Sequence, residues 1–395
     1  MTVCFETFGC RLNRAEALQQ EAEYLAKGWK LTTKHAEADL FIVRACSVTR
    51  RAQHDCEKHI EHLKRHYPTK PLLIVGCLPA NVKKSLVRAD DNSLILPEDP
   101  SVFPVRTARA YLKVQDGCNG KCTFCIVPQF RGSSRSVPFT DLLAKAKLFI
   151  DSGYHEIVVT GCNLALYASE GKRLPELVAA LASLSPSCRI RLGSLEPGAV
   201  ALETVAVMIE RTNVCRFLHL PIQSGSNRIL SAMRRPYLTK DIDAIVKKAT
   251  DALPLIGLGC DVMTGYPGET EIDLVATEGI LKRHAFSNVH VFPFSARPGT
   301  IAAALPDAIP HDQRHTRAHQ ISALAQHLKS TAAKKFIGAE VEVVIENEKE
   351  LIGWSGEYFP VEITNKVRAK AIARKDLVKV HVQDAHHGHL KAILI

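Results

Sequence analysis

The sequence predicts an α/β chain in three parts: an amino-terminal parallel α/β domain over residues 1–106, a central partial (β/α)6 barrel over 107–330, and a small all-β barrel over 331–395. Two observations carry most of this. Short apolar runs alternate with helix-period segments through the first two parts, the pattern of parallel strands joined by crossover helices. Polar or glycine-bearing turns follow strand after strand, as they do where loops gather at the carboxyl edge of a parallel sheet. A third observation sets the last part off: its β-branched runs have no helices between them, which reads as a small barrel. A chain of 395 residues is too long for one ordinary domain.

Taken in order, the first part holds three apolar runs, each ending in cysteine. Val3–Phe5 leads to Cys10, Leu40–Val43 to Cys46 and Leu72–Val75 to Cys77. Ala15, Leu18, Ala22 and Leu25 recur at helical spacing between the first two, and Thr49 to His66 reads as a second helix. The second part offers strands at Tyr111–Val114, Ile157–Thr160, Ile190–Ser194, Phe217–Pro221, Leu258–Thr264 and Val289–Phe294, with helices such as Asp141–Ile150, Leu174–Leu184, Glu203–Arg211 and Asp241–Leu253 between them. Six such units suit an incomplete barrel, and a doubly wound sheet would give the same pattern. A helix over Asp312–Lys335 leads to strands at Val341–Ile345, Val361–Ile363 and Val378–Val382, with Gly353 and Gly356 as turn residues.

Composition narrows the class. With 46% hydrophobic and 23% charged residues the chain reads as a folded globular protein. No apolar run approaches the roughly eighteen residues a membrane span needs, and the first residues lack the layout of a secretory leader, so a cytoplasmic location and no membrane partner are expected. Lysine plus arginine number 51 against 41 acids, a net +10. That surplus suits a polyanion such as nucleic acid, and equally a generally basic background. The run Lys366–Lys375 holds five basic residues and no acid, as a phosphate contact or a solvated strand face.

Twelve cysteines in such a chain read as thiols and metal ligands rather than disulfides. Cys118, Cys122 and Cys125, spaced C-x3-C-x2-C, can wrap one metal centre from a single loop. Structural zinc wants a fourth ligand, for which His155, His219 and Cys162 are candidates, whereas an iron–sulfur cluster held by three thiolates keeps one iron open. Cys10, Cys46 and Cys77, each after a parallel strand, would converge on one sheet edge as a second three-thiolate site. Cys4, Cys56, Cys188 and Cys215 read as packing residues, and Cys162 and Cys260 lie near the barrel mouth. His386, His387 and His389 read as a solvated turn.

DGCNGKCTFC resembles the signature of radical S-adenosylmethionine enzymes, and its setting, KVQDGCNGKCTFCIVPQFRGSSRS, that of their methylthiotransferase branch. The resemblance spans nearly the whole chain. TFGCRLNRAE, VRACSVT and LIVGCLPA are similar to the cysteine motifs of the family's amino-terminal domain. RLGSLEP, FLHLPIQSGSNRILSAMRRPY, GCDVMTGYPGETE and HVFPFSARPGT are similar to its radical-SAM barrel, and the last part looks like its RNA-binding TRAM domain. Arg234–Tyr237 and ARPGT look most like the enzymes acting on N6-threonylcarbamoyladenosine at nucleotide 37 of tRNA, with those using N6-isopentenyladenosine as the runner-up. One departure stands out: Arg44 occupies the place, two residues before Cys46, where the family carries asparagine.

The resemblance implies two [4Fe-4S] clusters, one on Cys118, Cys122 and Cys125 and an auxiliary one on Cys10, Cys46 and Cys77, each with an open iron. The first would bind S-adenosylmethionine and cleave it to a 5′-deoxyadenosyl radical that takes hydrogen from adenine C2. The second would serve the sulfur donor. Asn163, Ser194, Glu196 and Gln223, at strand ends, are the candidate S-adenosylmethionine contacts, with Asp261 a further polar residue beside a strand. The partners implied are a tRNA anticodon stem-loop and an electron donor such as flavodoxin or ferredoxin. A non-catalytic iron–sulfur carrier is the rival from another class; carriers generally complete their clusters with four protein ligands.

Overall fold

A computed structural model describes residues 1–78, 107–306, 308–365 and 372–395. The expected boundary between the first two parts lies outside the described residues.

The runs that end in cysteine become neighbouring strands of one parallel sheet. Its order is Lys30–Leu31, Thr2–Thr7, Leu40–Cys46, Leu72–Cys77. Chain order reverses direction beside Thr2–Thr7, and the loops at such a switch point open a crevice at the carboxyl edge. Thr49 caps the helix Arg50–His66 by accepting from the Ala52 amide at 3.2 Å. The helix Arg11–Ala26 buries Asn13, Glu16, Gln20 and Glu21 as well as Leu12, Ala15, Ala17 and Ala22. It is enclosed on more than one side: Ala15 packs on Tyr111 and Val158, and Ala22 joins the main core.

The strands Ala110–Lys113, Glu156–Thr160, Arg189–Leu192, Phe217–Gln223, Gly257–Thr264 and Asn288–Pro293 follow one another in space as in sequence, all parallel. Two three-stranded sheets meet through the bridges Ile190↔Val214 and Ser194↔His219. Without a reversal of order this is a partial barrel and not a doubly wound sheet. Alternation splits each strand between two environments. Leu112, Val159, Leu192, Leu220 and Val262 join the core beneath the helices, while Lys113, Glu156, Arg189, Arg191 and His219 stand at the alternate positions. The helix His311–Lys334 then lies along the last strand. Among the described residues no helix is long and apolar enough to cross a membrane.

The carboxyl-terminal strands close a five-stranded barrel of Glu340–Asn347, Ile352–Ser355, Pro360–Ile363, Leu377–His386 and His389–Leu394. Gly353, expected in a turn, lies inside the strand Ile352–Ser355. Of the histidines read as a turn, only His387 lies in it, with Gly388; His386 ends one strand and His389 opens the next, both exposed. Of the basic run, residues 366–371 lie outside the described residues. Lys375 is buried, with its ammonium 4.0 Å from the Tyr154 ring centre and donating to the Ser152 carbonyl at 3.1 Å, so it is a docking residue and not a phosphate contact.

This barrel seats on the amino ends of the half-barrel strands. Arg189 donates to the carbonyls of Glu342 and Trp354 at 2.7 and 2.8 Å, and Arg191 to those of Ser355 and Gly356 at 2.8 and 3.1 Å. Both guanidiniums pair with Glu156 at 2.6 Å. Burial would raise the Glu156 carboxyl, but Arg191 and Arg189 outweigh it and hold it well below the usual carboxylate range. Tyr358 stacks between Phe217 and Trp354, each ring centre 4.6 Å away.

Gly257 is the tightest point of this seat: a Cβ there would lie 2.0 Å from the Glu357 carbonyl. Gly257→Ala is therefore expected to cost about 1–3 kcal/mol and to expose the last barrel to protease. Thermal unfolding with limited proteolysis measures both, and an unchanged midpoint would contradict the seat.

Candidate active site

The carboxyl edge of the amino-terminal sheet brings Cys10, Cys46 and Cys77 together. Cys46 and Cys77 are register partners on adjacent strands. Gly9, at φ +96°, turns the chain so that Cys10 begins the helix Arg11–Ala26; a Cβ on Gly9 would sit 2.7 Å from that of Cys46. Asn13 stitches the loops, donating to the carbonyls of Phe8 at 2.7 Å and Ala45 at 3.0 Å. Burial pushes the Cys77 thiol up to about 11 and raises Cys46 as well, whereas Cys10 is exposed.

The second trio occupies the loop after the strand pair at Gln115–Asp116. The Gly120 amide donates to Cys118 Sγ at 3.2 Å, and Arg235 donates to Cys122 Sγ at 2.9 Å. Burial pushes Cys125 up to about 11. Arg235 also pairs with Glu196 at 2.7 Å, and Glu196 accepts from Asn163 Nδ2 at 2.8 Å. Two of the four residues expected to contact the cofactor are thus joined to the cysteine loop through one arginine. Gln223 ends its strand in the left-handed region at φ +63°, a conformation stored where the surroundings hold it. Ser194 is exposed at the end of its own strand, where it bridges His219. The hydrogen bonds of the described residues tie neither Gln223 nor Ser194 to Glu196.

Arg131 connects the two trios. Its Nε donates to Cys77 Sγ at 3.0 Å; its terminal nitrogens reach Glu16 and Asp116 at 2.7 and 3.0 Å and Asn13 at 2.8 Å. Cys77 also packs in one apolar cluster with Ile126, the neighbour of Cys125, and with Phe130. Lys113 bridges the same acids, at 2.7 Å to Glu16 and 2.8 Å to Asp116. Burial raises the Glu16 carboxyl, but Arg131, Lys113 and Arg44 together hold it well below the usual range. Arg44 explains its departure from the family pattern: fully buried, it donates to Glu16 at 2.7 Å and Gln20 at 2.6 Å.

Among the described residues no hydrogen bond ties the three candidate fourth ligands for zinc to Cys118, Cys122 or Cys125. Cys162 faces Asp116 at 3.5 Å, with its thiol held far up by burial. His155 meets the Ser187 carbonyl at 3.3 Å, and His219 faces Asp261 at 3.7 Å from a pocket whose burial lowers it to about 4. Three thiols and N–H donors aimed at sulfur suit an iron–sulfur centre with one open position better than closed tetrahedral zinc. The sequence reading missed the contacts of both arginines with sulfur: Arg131 stands close after Cys125, which says nothing of direction, and Arg235, noted only within the Arg234–Tyr237 motif, is far in sequence from the loop it serves.

A cleft of about 800 Å³ opens between Phe8–Gly9, the start of the helix Arg50–His66 and the last half-barrel strand. Arg50, Arg51, Arg314, His311 and Phe292 line it, with Asp55 the one acid among its described residues. Its size suits an organic ligand and its charge a polyanion.

This partial barrel with a C-x3-C-x2-C loop defines a radical S-adenosylmethionine protein. Residues 112–278 match the Radical SAM superfamily, and residues 2–96 match Uncharacterized protein family UPF0004. The threonylcarbamoyladenosine tRNA methylthiotransferase of Bacillus subtilis is 30% identical over 91% of this chain and 90% of its own length. A tRNA-2-methylthio-N(6)-dimethylallyladenosine synthase from Methylacidiphilum infernorum is 27% identical over 92% of each chain. The chain belongs to the radical S-adenosylmethionine methylthiotransferase family. In fold it is similar to the radical S-adenosylmethionine methyltransferase TsrM from Kitasatospora setae, with a TM-score of 0.55 and 12% identity, over 76% of this chain and 77% of that one. Membership implies a [4Fe-4S] cluster and S-adenosylmethionine.

Proposed function

We propose that the chain attaches a methylthio group to C2 of N6-threonylcarbamoyladenosine at nucleotide 37 of tRNA, in the cytoplasm. In this reading residues 1–106 hold an auxiliary [4Fe-4S] cluster through Cys10, Cys46 and Cys77. Residues 107–330 are the radical SAM core, with Cys118, Cys122 and Cys125 as ligands and Asn163, Ser194, Glu196 and Gln223 around S-adenosylmethionine. Residues 331–395 are a TRAM-like module that holds the anticodon stem-loop through phosphate contacts, and a flavodoxin or ferredoxin supplies electrons.

The observation that carries it is the bond from Arg131, on the radical SAM loop, to Cys77 of the other trio. A radical centre and a sulfur-donating centre must serve one substrate atom, so their ligand loops have to be neighbours. When bound, the cluster and S-adenosylmethionine supply one-electron cleavage of a sulfonium and a carbon radical.

The chain's own residues set the conditions. The Cys46, Cys77, Cys122 and Cys125 thiols, raised by burial, lose their protons as metal binds. Arg131 and Arg235 donate to sulfur and offset the added negative charge. Glu196, held by Arg235 and Asn163, presents an oriented carboxylate to an ammonium group. The Ile126 and Phe130 side chains keep water from the space between the trios.

The relatives from Bacillus subtilis and Aquifex aeolicus bear the threonylcarbamoyladenosine name, which supports the substrate, while the dimethylallyladenosine synthase at similar identity supports a second reading. Nucleoside mass spectrometry of tRNA from a deletion strain decides between them. Loss of 2-methylthio-N6-threonylcarbamoyladenosine with the unmethylthiolated form accumulating is expected. Loss of the isopentenyl counterpart would establish the second reading, and no change in either would refute both.

A further inference from the structure

Away from both cysteine trios, four metal-ligating side chains converge on the amino-terminal sheet. Cys4 and Glu6 stand two residues apart on Thr2–Thr7 and so project to the same face. His35 comes from the short turn His35–Glu37 and His59 from the helix Arg50–His66. The ligand atoms of Cys4, Glu6 and His35 all lie within 4.8 Å of one another. Glu6 Oε1 is the focus: His35 Nε2 is 2.8 Å away, Cys4 Sγ 3.9 Å and His59 Nε2 4.0 Å. His59 Nε2 is buried and makes no hydrogen bond among the described residues, although burial of a ring nitrogen without a partner is costly.

We propose that Cys4, Glu6, His35 and His59 form a structural zinc site. The donor set is one sulfur, two imidazole nitrogens and one carboxylate oxygen, which is zinc chemistry and closes a tetrahedron without water. Bond lengths of about 2.0–2.3 Å put tetrahedral ligand atoms roughly 3.3–3.8 Å apart. The spacings around Glu6 bracket that range, so small rotamer changes complete the shell. Charge closes too: binding releases the Cys4 proton, and the thiolate and the carboxylate each cancel one of the ion's two positive charges. The His35, Glu6 and His59 side chains are 25%, 30% and 23% exposed, so an ion can enter from solvent.

The site would brace the strand that runs on to Cys10 against the helix that follows Cys46. Phe8, between Glu6 and Cys10, already packs its ring 5.3 Å from that of His59. The proposal is independent of which nucleoside the enzyme modifies.

The test uses the reconstituted holoprotein with its iron–sulfur centres loaded, so that the trios are closed to zinc. After exposure to zinc chloride and gel filtration, elemental analysis is expected to find about one zinc per chain beside undiminished iron. X-ray absorption at the zinc edge is expected to show one sulfur and three nitrogen or oxygen neighbours. His35→Ala and His59→Ala, both at partly exposed positions, are expected to lower bound zinc at least tenfold while iron stays unchanged. Zinc absent from the wild type, zinc retained in the double variant, or a shell of three or four sulfurs would each overturn the site.

Discussion

Alanine at Cys118, Cys122 and Cys125 together is expected to leave about four irons per chain where the wild type holds about eight, and to abolish formation of 5′-deoxyadenosine from S-adenosylmethionine. The remaining iron should persist because Cys10, Cys46 and Cys77 hang from a different sheet, fixed by its own register and by Asn13. Iron and sulfide analysis with electron paramagnetic resonance on anaerobically reconstituted protein reads both quantities. Complete loss of iron would mean that the two trios form one interdependent centre. Stoichiometric zinc in place of iron would sink the assignment of both.

The second large effect belongs to Arg131. Its guanidinium is buried and compensates Glu16 and Asp116 while donating to Cys77. Arg131→Ala leaves Glu16 to Lys113 and Arg44, and Asp116 to Lys113 and the more distant Arg135 at 3.8 Å, and breaking such a network from one side costs up to about 3–5 kcal/mol. The loss should show as a lower unfolding midpoint and as iron lost from the amino-terminal trio first. Arg131→Lys keeps the charge but not the fork that reaches Asn13, Glu16 and sulfur together, so it should recover stability in part and the auxiliary iron hardly at all. Full iron content in Arg131→Ala would reduce the residue to a packing role.

Much of this was legible in the sequence because parallel strands write themselves as apolar runs. The three runs ending in cysteine are adjacent strands, and the six runs of the second part are the barrel staves in order. What stayed hidden has a common physical cause, the burial of polar groups by partners distant in sequence. The helix Arg11–Ala26 reads as weakly amphipathic because Glu16 and Gln20 face arginines and not water. Arg189 and Arg191 sit at strand positions whose partners are carbonyls of the last barrel, which no local pattern announces. The strand Ile352–Ser355 was lost to its glycine and serine, and the basic reading of Lys375 to a contact with Tyr154. Of the candidate cofactor residues, Glu196 and Asn163 share a hydrogen bond, yet the Arg235 that orients them was visible only as part of a motif.

The seat of the last barrel on the amino ends of the half-barrel strands has a consequence for measurement. In the proposed function, an RNA gripped by that module and an adenosine presented to the cysteine loops would be held at opposite ends of the same staves, about 20 Å apart for a strand of six residues. Glu156, Arg189 and Arg191 tie the joint through buried ion pairs and hydrogen bonds to the last barrel's carbonyls, so in that reading the span would act as a gauge and not a hinge. Reach along the RNA, and not base identity alone, would then select which nucleotide arrives at the chemistry.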